Sequence, residues 1–338
     1  MRIAAAAFTG KGQSLLRGLC EALREHTVTV FDAKADSARD WAAREFYAAD
    51  ALIFVGAAGI AVRLTAPLIK SKTTDPAVLV VDEFGRYVIP LLSGHLGGAN
   101  RLALKIASAL DAAPVITTAT DLNRVFAVDE WAMATGCVID NPGRIKNISG
   151  ALLRGEEVGF HSDFPVHGPL PEGLTQNQKT PAGICVSFDA GKQPFAVTLN
   201  LIPRIAALGA GCKKNTNADD FERFALKQLA RRKVCVKALK VLASVDLKRD
   251  EPCFLAFSSK YGAEFVTYAP ERLREADGNF SGSRFVSDTI GVDNVCERAA
   301  VLSSAGALVM PKTRGIGMTM ALAVPDWVCR FPRHREEI

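Results

Sequence analysis

The chain has 338 residues, of which 49% are hydrophobic and 23% charged, and a formal net charge of +5 at pH 7. This length predicts two or three domains, and the composition is that of a soluble globular protein. No apolar run reaches the roughly 18 residues of a transmembrane helix, so no membrane contact is expected. Lys/Arg runs are short and do not alternate with aromatic residues, which argues against nucleic-acid binding, whereas the mildly basic net charge would suit a polyanionic small molecule.

The eight cysteines are scattered, and the two closest in sequence, Cys235 and Cys253, are 18 residues apart. No CxxC, HxxxH or HExxH spacing occurs, so a protein-held zinc ion or iron–sulfur cluster is not expected. Scattered cysteines with apolar neighbours fit burial in a reducing compartment. We therefore expect a cytoplasmic protein, and we interpret the apolar run 3–8 as a first strand and not as an export signal.

The N-terminal part alternates between two kinds of pattern. Apolar runs at 2–8, 27–31 and 51–55 are separated by segments of helical periodicity at 13–25 and 37–47. This alternation predicts a parallel sheet flanked by helices, as in Rossmann-like domains.

The TGKG sequence at Thr9–Gly12 invites comparison with a phosphate-binding loop. The comparison fails, because Ala5 stands where that motif has its first glycine and Gly12 stands where it has Ser or Thr. We interpret the segment as a strand-to-helix turn.

The densest group of polar residues lies in the stretch Gly56–Asn100. A buried-type strand at Ala77–Val81 is followed by Asp82 and Glu83, and a glycine loop carrying His95 precedes a long apolar helix. In open α/β sheets ligands bind beyond the carboxyl ends of the strands. This stretch is therefore where we expect a site.

The character of the chain changes after the first domain. Residues 161–181 hold four prolines and two glycines among few apolar residues, which is typical of loops, and short strands are predicted on either side. The predicted fold class is α/β, with an N-terminal Rossmann-like parallel-sheet domain, a small middle α+β region, a C-terminal α/β domain and a charged tail. Their predicted bounds are 1–125, 126–203, 204–330 and 331–338.

The C-terminal domain opens with a second strand–glycine–helix turn. A strand ending in the sequence GAGC is followed by Lys213 and Lys214, and then by a helix from Ala218 for which Thr216 or Asn217 is the expected N-cap. Backbone N–H groups and two lysines at a helix start suit an anion such as a carboxylate. The spacing lacks GxGxxG, so a dinucleotide is not supported.

Several blocks of the chain resemble the cobalamin biosynthesis protein G family, the cobalt-precorrin-5A hydrolases. The resemblance is carried by GAAGIAVR, DPAVLVVDE and VIPLLSGHLGGAN within Gly56–Asn100, by the turn Thr118–Asn123, by SVDLK and EP within Ser244–Pro252, by GVDNVCERAA at Gly291–Ala300 and by the strand end Pro311–Thr313. These blocks cover most of the chain in family order. The middle region carries little of the resemblance.

The resemblance implies a hydrolase of the anaerobic, early-cobalt route to vitamin B12. Its substrate, cobalt-precorrin-5A, carries a lactone between the ring A acetate and the extruded, methylated meso carbon. Water opens the lactone, and the two-carbon fragment leaves as acetaldehyde to give cobalt-precorrin-5B. The cobalt arrives with the substrate, so no cofactor is expected, and the many carboxylates of the macrocycle explain the basic residues.

Two departures from the family pattern concern the site. Lys213, Lys214 and Asn215 stand where the family has Arg-Arg-Gly, which keeps the charge but loses the bidentate guanidinium fork and the free rotation of glycine. The segment Phe280–Phe285 has Arg284 at a position where the family has an acidic residue, so we do not expect a catalytic group there.

Two residues are the candidates for the general base that activates water, namely Glu83 and His95, with Asp82 beside them. The alternative for Glu83 is a turn carboxylate paired with Arg86, and the alternative for His95 is packing of the glycine loop. Arg63, Lys72, Lys213 and Lys214 are expected to bind substrate carboxylates. The further expected substrate contacts are Asn100, Asn123, Cys212, Thr216, Asp293, Asn294 and Lys312.

Other functions and partners remain open at this level. A corrinoid-binding scaffold that has lost hydrolysis is the main alternative, and a nucleotide-dependent ligase is disfavoured by the failed phosphate loop. The expected partners are the corrinoid substrate, a second copy of the chain in a homodimer, and neighbouring pathway enzymes in transient contact.

Overall fold

The structure is a computed structural model that describes residues 1–71, 74–95, 97–282 and 291–331. The chain divides into two compact units. The first unit comprises residues 1–130 and the second comprises residues 131–338. The predicted α/β class is confirmed, whereas the predicted three-part division stays a prediction. Across the described ranges, no helix combines the length and the apolar character that a membrane crossing requires.

A six-stranded sheet forms the first unit, with the spatial order β2-β1-β3-β4-β5-β6. The first four strands are mutually parallel, β5 is antiparallel to β4, and β6 is parallel to β5. The strands are β1 (Arg2–Ala7), β2 (Thr27–Val30), β3 (Ala51–Val55), β4 (Ala77–Val81), β5 (Tyr87–Leu92) and β6 (Ala113–Pro114).

Continuous burial explains why these strands are central. All residues of β3 and β4 are buried, because apolar side chains cover both faces of the sheet. The helices from the N-terminus onward are α1 (Gly10–Ala22), α2 (Ala38–Ala48), α3 (Ala58–Thr65), a 3-10 turn (Ala66–Leu68), α4 (Ala99–Leu110), α5 (Ala119–Leu122) and α6 (Val128–Ala134).

The Thr9–Gly12 segment is the strand-to-helix turn predicted for it. The Thr9 hydroxyl accepts a hydrogen bond from the backbone N–H of Gly12 at 3.1 Å and so caps α1. The cap starts α1 at Gly10, three residues before the predicted start, because glycines near a helix start conceal the helical pattern. Ser37 caps α2 in the same way, by accepting from the N–H of Asp40.

Three sheets are present in the described part of the second unit. One has the order β10-β8-β11-β12-β7, one has the order β15-β14-β13-β17-β16, and β18 pairs with β9. The strands are β7 (Cys137–Ile139), β8 (Val158–Ser162), β9 (Val166–His167), β10 (Leu174–Thr175), β11 (Ala182–Val186), β12 (Val197–Pro203), β13 (Ala206–Cys212), β14 (Leu239–Val245), β15 (Glu264–Tyr268), β16 (Ala307–Gly315), β17 (Met318–Val324) and β18 (Cys329–Arg330).

The helices of this unit pack on these sheets. Asn217, one of the two expected caps, caps α8 by accepting from the N–H groups of Asp219 and Asp220. The helices are 3-10 Pro142–Arg144, α7 (Ile145–Leu153), α8 (Ala218–Arg231), 3-10 Val236–Ala238, 3-10 Asp246–Lys248, α9 (Pro252–Tyr261), α10 (Pro270–Arg274) and α11 (Cys296–Ser304).

In the second unit, residues 142–153 form a 3-10 turn followed directly by α7, and β16 is a long strand that ends at Gly315. The short strand β7 was not predicted. It pairs antiparallel with β12, so its conformation depends on a long-range partner.

Strand β13 and helix α11 approach each other closely at Gly209. A Cβ atom added at Gly209 would lie 1.8 Å from the backbone oxygen of Cys296, which is far inside van der Waals contact. Only glycine therefore permits this distance between the strand and the helix.

Gly209→Ala is therefore expected to lower the free energy of unfolding by about 3 kcal/mol or more, the upper end of overpacking effects. Urea unfolding followed by circular dichroism measures the loss. Gly18→Ala is the matched control, because Gly18 is helical with no atom within 4 Å of the added Cβ, and it should be neutral or slightly stabilising. Equal midpoints for the two variants would contradict the packing argument.

Candidate active site

The loop that carries His95 is held in a fixed conformation between β5 and α4. Ser93 and Gly98 have positive φ angles of 57° and 77°, and the Ser93 hydroxyl donates to the backbone oxygen of Asp75 at 2.9 Å. The N–H of Asn100 donates to the oxygen of Gly94 at 2.9 Å. These bonds fix where the His95 backbone points.

Carboxylates surround the His95 imidazole. Its Nδ1 atom lies 3.2 Å from Oδ2 of Asp129, and its Nε2 atom lies 3.1 Å from Oδ2 of Asp121. Nε2 also lies 3.6 Å from Oε1 of Glu130 and 3.3 Å from Oγ1 of Thr120. Both ring nitrogens thus face acceptors, an arrangement that the doubly protonated ring satisfies best.

This environment changes the protonation of the imidazole. Burial disfavours the charged ring, but the hydrogen bond to Asp129 and the charges of Asp129 and Glu130 outweigh it, and the pKa of His95 rises to about 9. Burial raises the pKa of Asp129, yet its contact with His95 prevails and leaves that pKa below its ordinary value. At neutral pH His95 is an imidazolium, so it is poised to donate a proton and not to accept one.

Asn100 fixes the carboxylate of Asp121. The Asn100 side chain is buried, and its Nδ2 atom donates to Oδ2 of Asp121 at 2.9 Å and to Oγ1 of Thr118 at 3.0 Å. Helix α4, which begins at Ala99, thereby positions the acceptor on α5. Asn100 was predicted as a substrate contact, and in the structure it supports the His95 cluster.

The same cluster could hold a cation in place of a proton. Ligand atoms of His95, Asp121 and Glu130 all lie within 4.8 Å of one another. Coordination would require the neutral imidazole, so a bound metal and the imidazolium exclude each other. The expected absence of a resident metal stays a prediction.

The two carboxylates that follow β4 have different surroundings. Asp82 accepts the backbone N–H groups of Arg86 at 2.7 Å and Tyr87 at 2.6 Å, which closes the turn between β4 and β5. Glu83 is half-buried and accepts a hydrogen bond from the Thr9 hydroxyl. A structural role explains Asp82. Its catalytic role, and that of Glu83, stay predictions.

Two of the predicted substrate contacts of the first unit, Arg63 and Asn123, lie on its surface. Arg63 is exposed and its guanidinium lies over Gly59, where an added Cβ would be 3.5 Å from the nearest guanidinium nitrogen. Asn123 is exposed, follows the last residue of α5, and donates through Nδ2 to the backbone oxygen of Ala119 at the start of that helix. Lys72 lies outside the described residues.

The turn after β13 presents exposed lysines. Lys213 and Lys214 are exposed, and the N–H of Lys213 donates to the oxygen of Gly317 at 2.9 Å. Asn215, which stands where the resemblance leads one to expect glycine, has a φ of 59° in the left-handed region that asparagine tolerates. Thr216 closes the turn by donating to the oxygen of Lys213 at 2.8 Å.

A buried carboxylate organises the predicted contacts at the start of α11. Glu297 is 1% exposed and accepts the N–H groups of Ser281 and Lys312, each at 2.7 Å, and the side chain of Asn294. Asp293 pairs with Arg298 at 3.0 Å. Asn294 and the Lys312 backbone are thus brought together, with Asn294 engaged inside the protein.

Asp129, Glu130 and Glu297 were not predicted as site residues. Asp129 and Glu130, both in α6, contact His95 although they are more than 30 residues away from it in sequence. The sequence of this helix is equally consistent with both carboxylates lying on the surface. The only signal was the turn Thr118–Asn123, which carries part of the family resemblance and contains Asp121. Glu297 lies inside a motif that the resemblance did identify.

Comparison with known proteins defines the class of protein to which this fold and these clusters belong. Family models match three successive segments: the cobalamin synthesis G N-terminal region at 40–121, the cobalamin biosynthesis central region at 126–203, and the cobalamin synthesis G C-terminus at 206–323. The match includes the middle region, where the sequence resemblance was weak.

Individual relatives agree with the family models. A protein of Salmonella typhimurium named cobalt-precorrin-5A hydrolase is 38% identical, over 90% of this chain and 89% of its own. One of Priestia megaterium with the same name is 35% identical, over 81% and 78%. A probable cobalt-precorrin-5A hydrolase of Methanocaldococcus jannaschii is 26% identical, over 81% and 85%. The chain belongs to the cobalamin synthesis G family.

The raised pKa of His95 predicts a pH dependence of stability. The folded-state pKa of about 9 exceeds the ordinary value of 6.5, so the stabilisation is complete below pH 6.5 and is lost as the pH rises through about 9. The urea midpoint of the wild type should fall across this window more than that of His95→Gln, which cannot titrate. Parallel pH profiles for the two proteins would show that His95 has no raised pKa.

Proposed function

We propose that the protein hydrolyses cobalt-precorrin-5A to cobalt-precorrin-5B and acetaldehyde in anaerobic cobalamin biosynthesis. The observation that carries the proposal is the family match across all three segments, together with two relatives of that name at 35–38% identity over most of the chain. No observation favours the scaffold alternative. The cobalt is part of the substrate and is not a resident cofactor.

The His95 cluster supplies proton transfer for this reaction. Hydrolysis of the lactone adds water to its carbonyl carbon. The bond between that carbon and the ester oxygen of the lactone then breaks, and this oxygen must gain a proton. The Nε2 proton of the imidazolium is suited to that donation, while Asp129 holds Nδ1 and orients the ring. Asp121 and Glu130 face the same nitrogen and can receive a proton from water.

The assignment of His95 as a donor sharpens the initial choice between His95 and Glu83. An imidazolium with a pKa of about 9 is not a base at neutral pH until it has given up its proton. The base is then one of the carboxylates around it or Glu83. Positioned acid–base groups contribute typically 100- to 10,000-fold to a rate, so each assignment can be tested by substitution.

His95→Ala is expected to slow acetaldehyde release by about 100-fold or more, through kcat, because it removes the proton donor. Asp129→Asn should slow it less and shift the alkaline limb of the pH–rate profile to lower pH. His167→Ala is the control, since His167 is exposed in the second unit. Undiminished release by His95→Ala would remove His95 from the mechanism.

The exposed lysines after β13 are proposed to bind carboxylates of the macrocycle. Lys213→Gln with Lys214→Gln should raise KM by roughly tenfold, about 1.4 kcal/mol, with little change in kcat. The matched double variant Lys227→Gln with Lys240→Gln removes the same charge from exposed positions elsewhere in the second unit and should leave KM near the wild-type value. An equal rise in both variants would indicate a general charge effect.

Incubation of the purified protein with cobalt-precorrin-5A tests the proposal itself. Mass spectrometry of the corrinoid and trapping of the aldehyde should show one equivalent of acetaldehyde for each cobalt-precorrin-5B formed. Binding of the corrinoid without release of aldehyde would instead establish the scaffold.

A further inference from the structure

A second cluster of ligand-type side chains lies in the second unit, whereas His95 belongs to the first. Cys212 ends β13, whereas Glu251 and Cys253 lie at the start of α9. The two sulfur atoms are 3.8 Å apart, and atoms of all three side chains lie within 4.8 Å of one another. Both cysteines are free thiols.

We propose that Cys212, Cys253 and Glu251 form a zinc-binding site, with a water molecule as the fourth ligand. Two zinc–sulfur bonds of about 2.3 Å at a tetrahedral angle span about 3.8 Å, which matches the distance between these sulfur atoms. Two thiolates and a carboxylate are the donor set of a borderline-soft divalent cation, and Mg²⁺ or Ca²⁺ would require oxygen ligands.

The charges around the cluster suit a divalent cation. Lys248 donates to Oε2 of Glu251 at 2.7 Å, and the N–H of Thr216 donates to Oε1 at 3.1 Å. Each carboxylate oxygen has a second lone pair for a metal. The charges of two thiolates, one carboxylate, Zn²⁺ and the Lys248 ammonium sum to zero, which lowers the cost of burying these five groups.

Burial shows that the site is part of the fold and is not a surface cluster. Glu251 is 5% exposed and Cys253 is 0% exposed, while Cys212 is half-buried. Pro252 fixes the backbone between the two ligands of α9 at the first turn of the helix.

An unsatisfied acceptor lies at the same edge of the sheet. Oδ1 of Asp246 is buried and has no hydrogen-bond partner among the described residues. Asp246 directly follows β14, which pairs in parallel with β13, the strand that Cys212 ends. A zinc-bound water is the kind of donor that this oxygen lacks.

The site would fix the turn that presents Lys213 and Lys214. That turn connects Cys212 to α8, and it is joined to α9 through the Thr216–Glu251 hydrogen bond. Zinc would add a second connection between the same two elements. This inference does not depend on the proposed reaction.

Titration of the reduced, chelator-treated full chain with Co²⁺ as a spectroscopic probe tests the proposal. One equivalent should give thiolate-to-cobalt charge-transfer absorption and the intense d–d bands of tetrahedral cobalt, and Zn²⁺ should abolish both. Cys253→Ser should weaken metal binding by at least about 100-fold, since even second-shell changes cost 10- to 100-fold. Cys235→Ser, a half-buried cysteine of the same unit, and His95→Ala should both keep the spectrum.

A second measurement uses the wild type alone, so it does not depend on the folding of a variant. Zinc should slow the alkylation of Cys212 and Cys253, read by peptide mass spectrometry, and leave Cys235 unaffected. The proposal is overturned by the absence of the thiolate band in the wild type, by its persistence in Cys253→Ser or loss in His95→Ala, or by a Cys212–Cys253 disulfide that forms in place of metal binding.

Discussion

The contact of the His95 imidazole with Asp121 and Asp129 is the interaction on which the first unit's candidate site depends. Carboxylates converging in a partly buried place repel one another, and the free energy of that repulsion must be offset by a positive charge. The imidazolium supplies it, and its raised pKa expresses the same balance. The positive-φ loop, the Asn100 amide and the start of α6 all serve to hold this one charged group in place.

The chemistry follows from that charge. A ring held as imidazolium, with one nitrogen oriented by Asp129 and the other surrounded by acceptors, can deliver a proton and have it replaced from a neighbouring carboxylate. Hydrolysis of a lactone uses such a donor together with a base. The family match identifies the substrate, and the geometry is the basis on which we propose His95 as the proton donor.

Local patterns predicted most of the fold, and long-range contacts account for what they missed. Continuous apolar runs identified β3 and β4, because burial on both faces leaves an unambiguous signal. His95 was predicted from its glycine loop, but its carboxylate partners were not predicted. Nothing in the sequence of α6 distinguishes an acidic residue that contacts His95 from one that is exposed to solvent. The Cys212–Cys253 pair was missed for a related reason, because short metal-ligand spacings do not include cysteines 41 residues apart.

The protonation state of His95 is the central claim, and nitrogen NMR of the labelled native protein measures it most directly. Both ring nitrogens should show the chemical shifts of an imidazolium from pH 6 upward and should titrate near pH 9. Asp129→Asn should move that midpoint downward while the fold is retained. A midpoint near the ordinary value of 6.5 in the wild type would contradict the account, because the carboxylates would then not hold the proton.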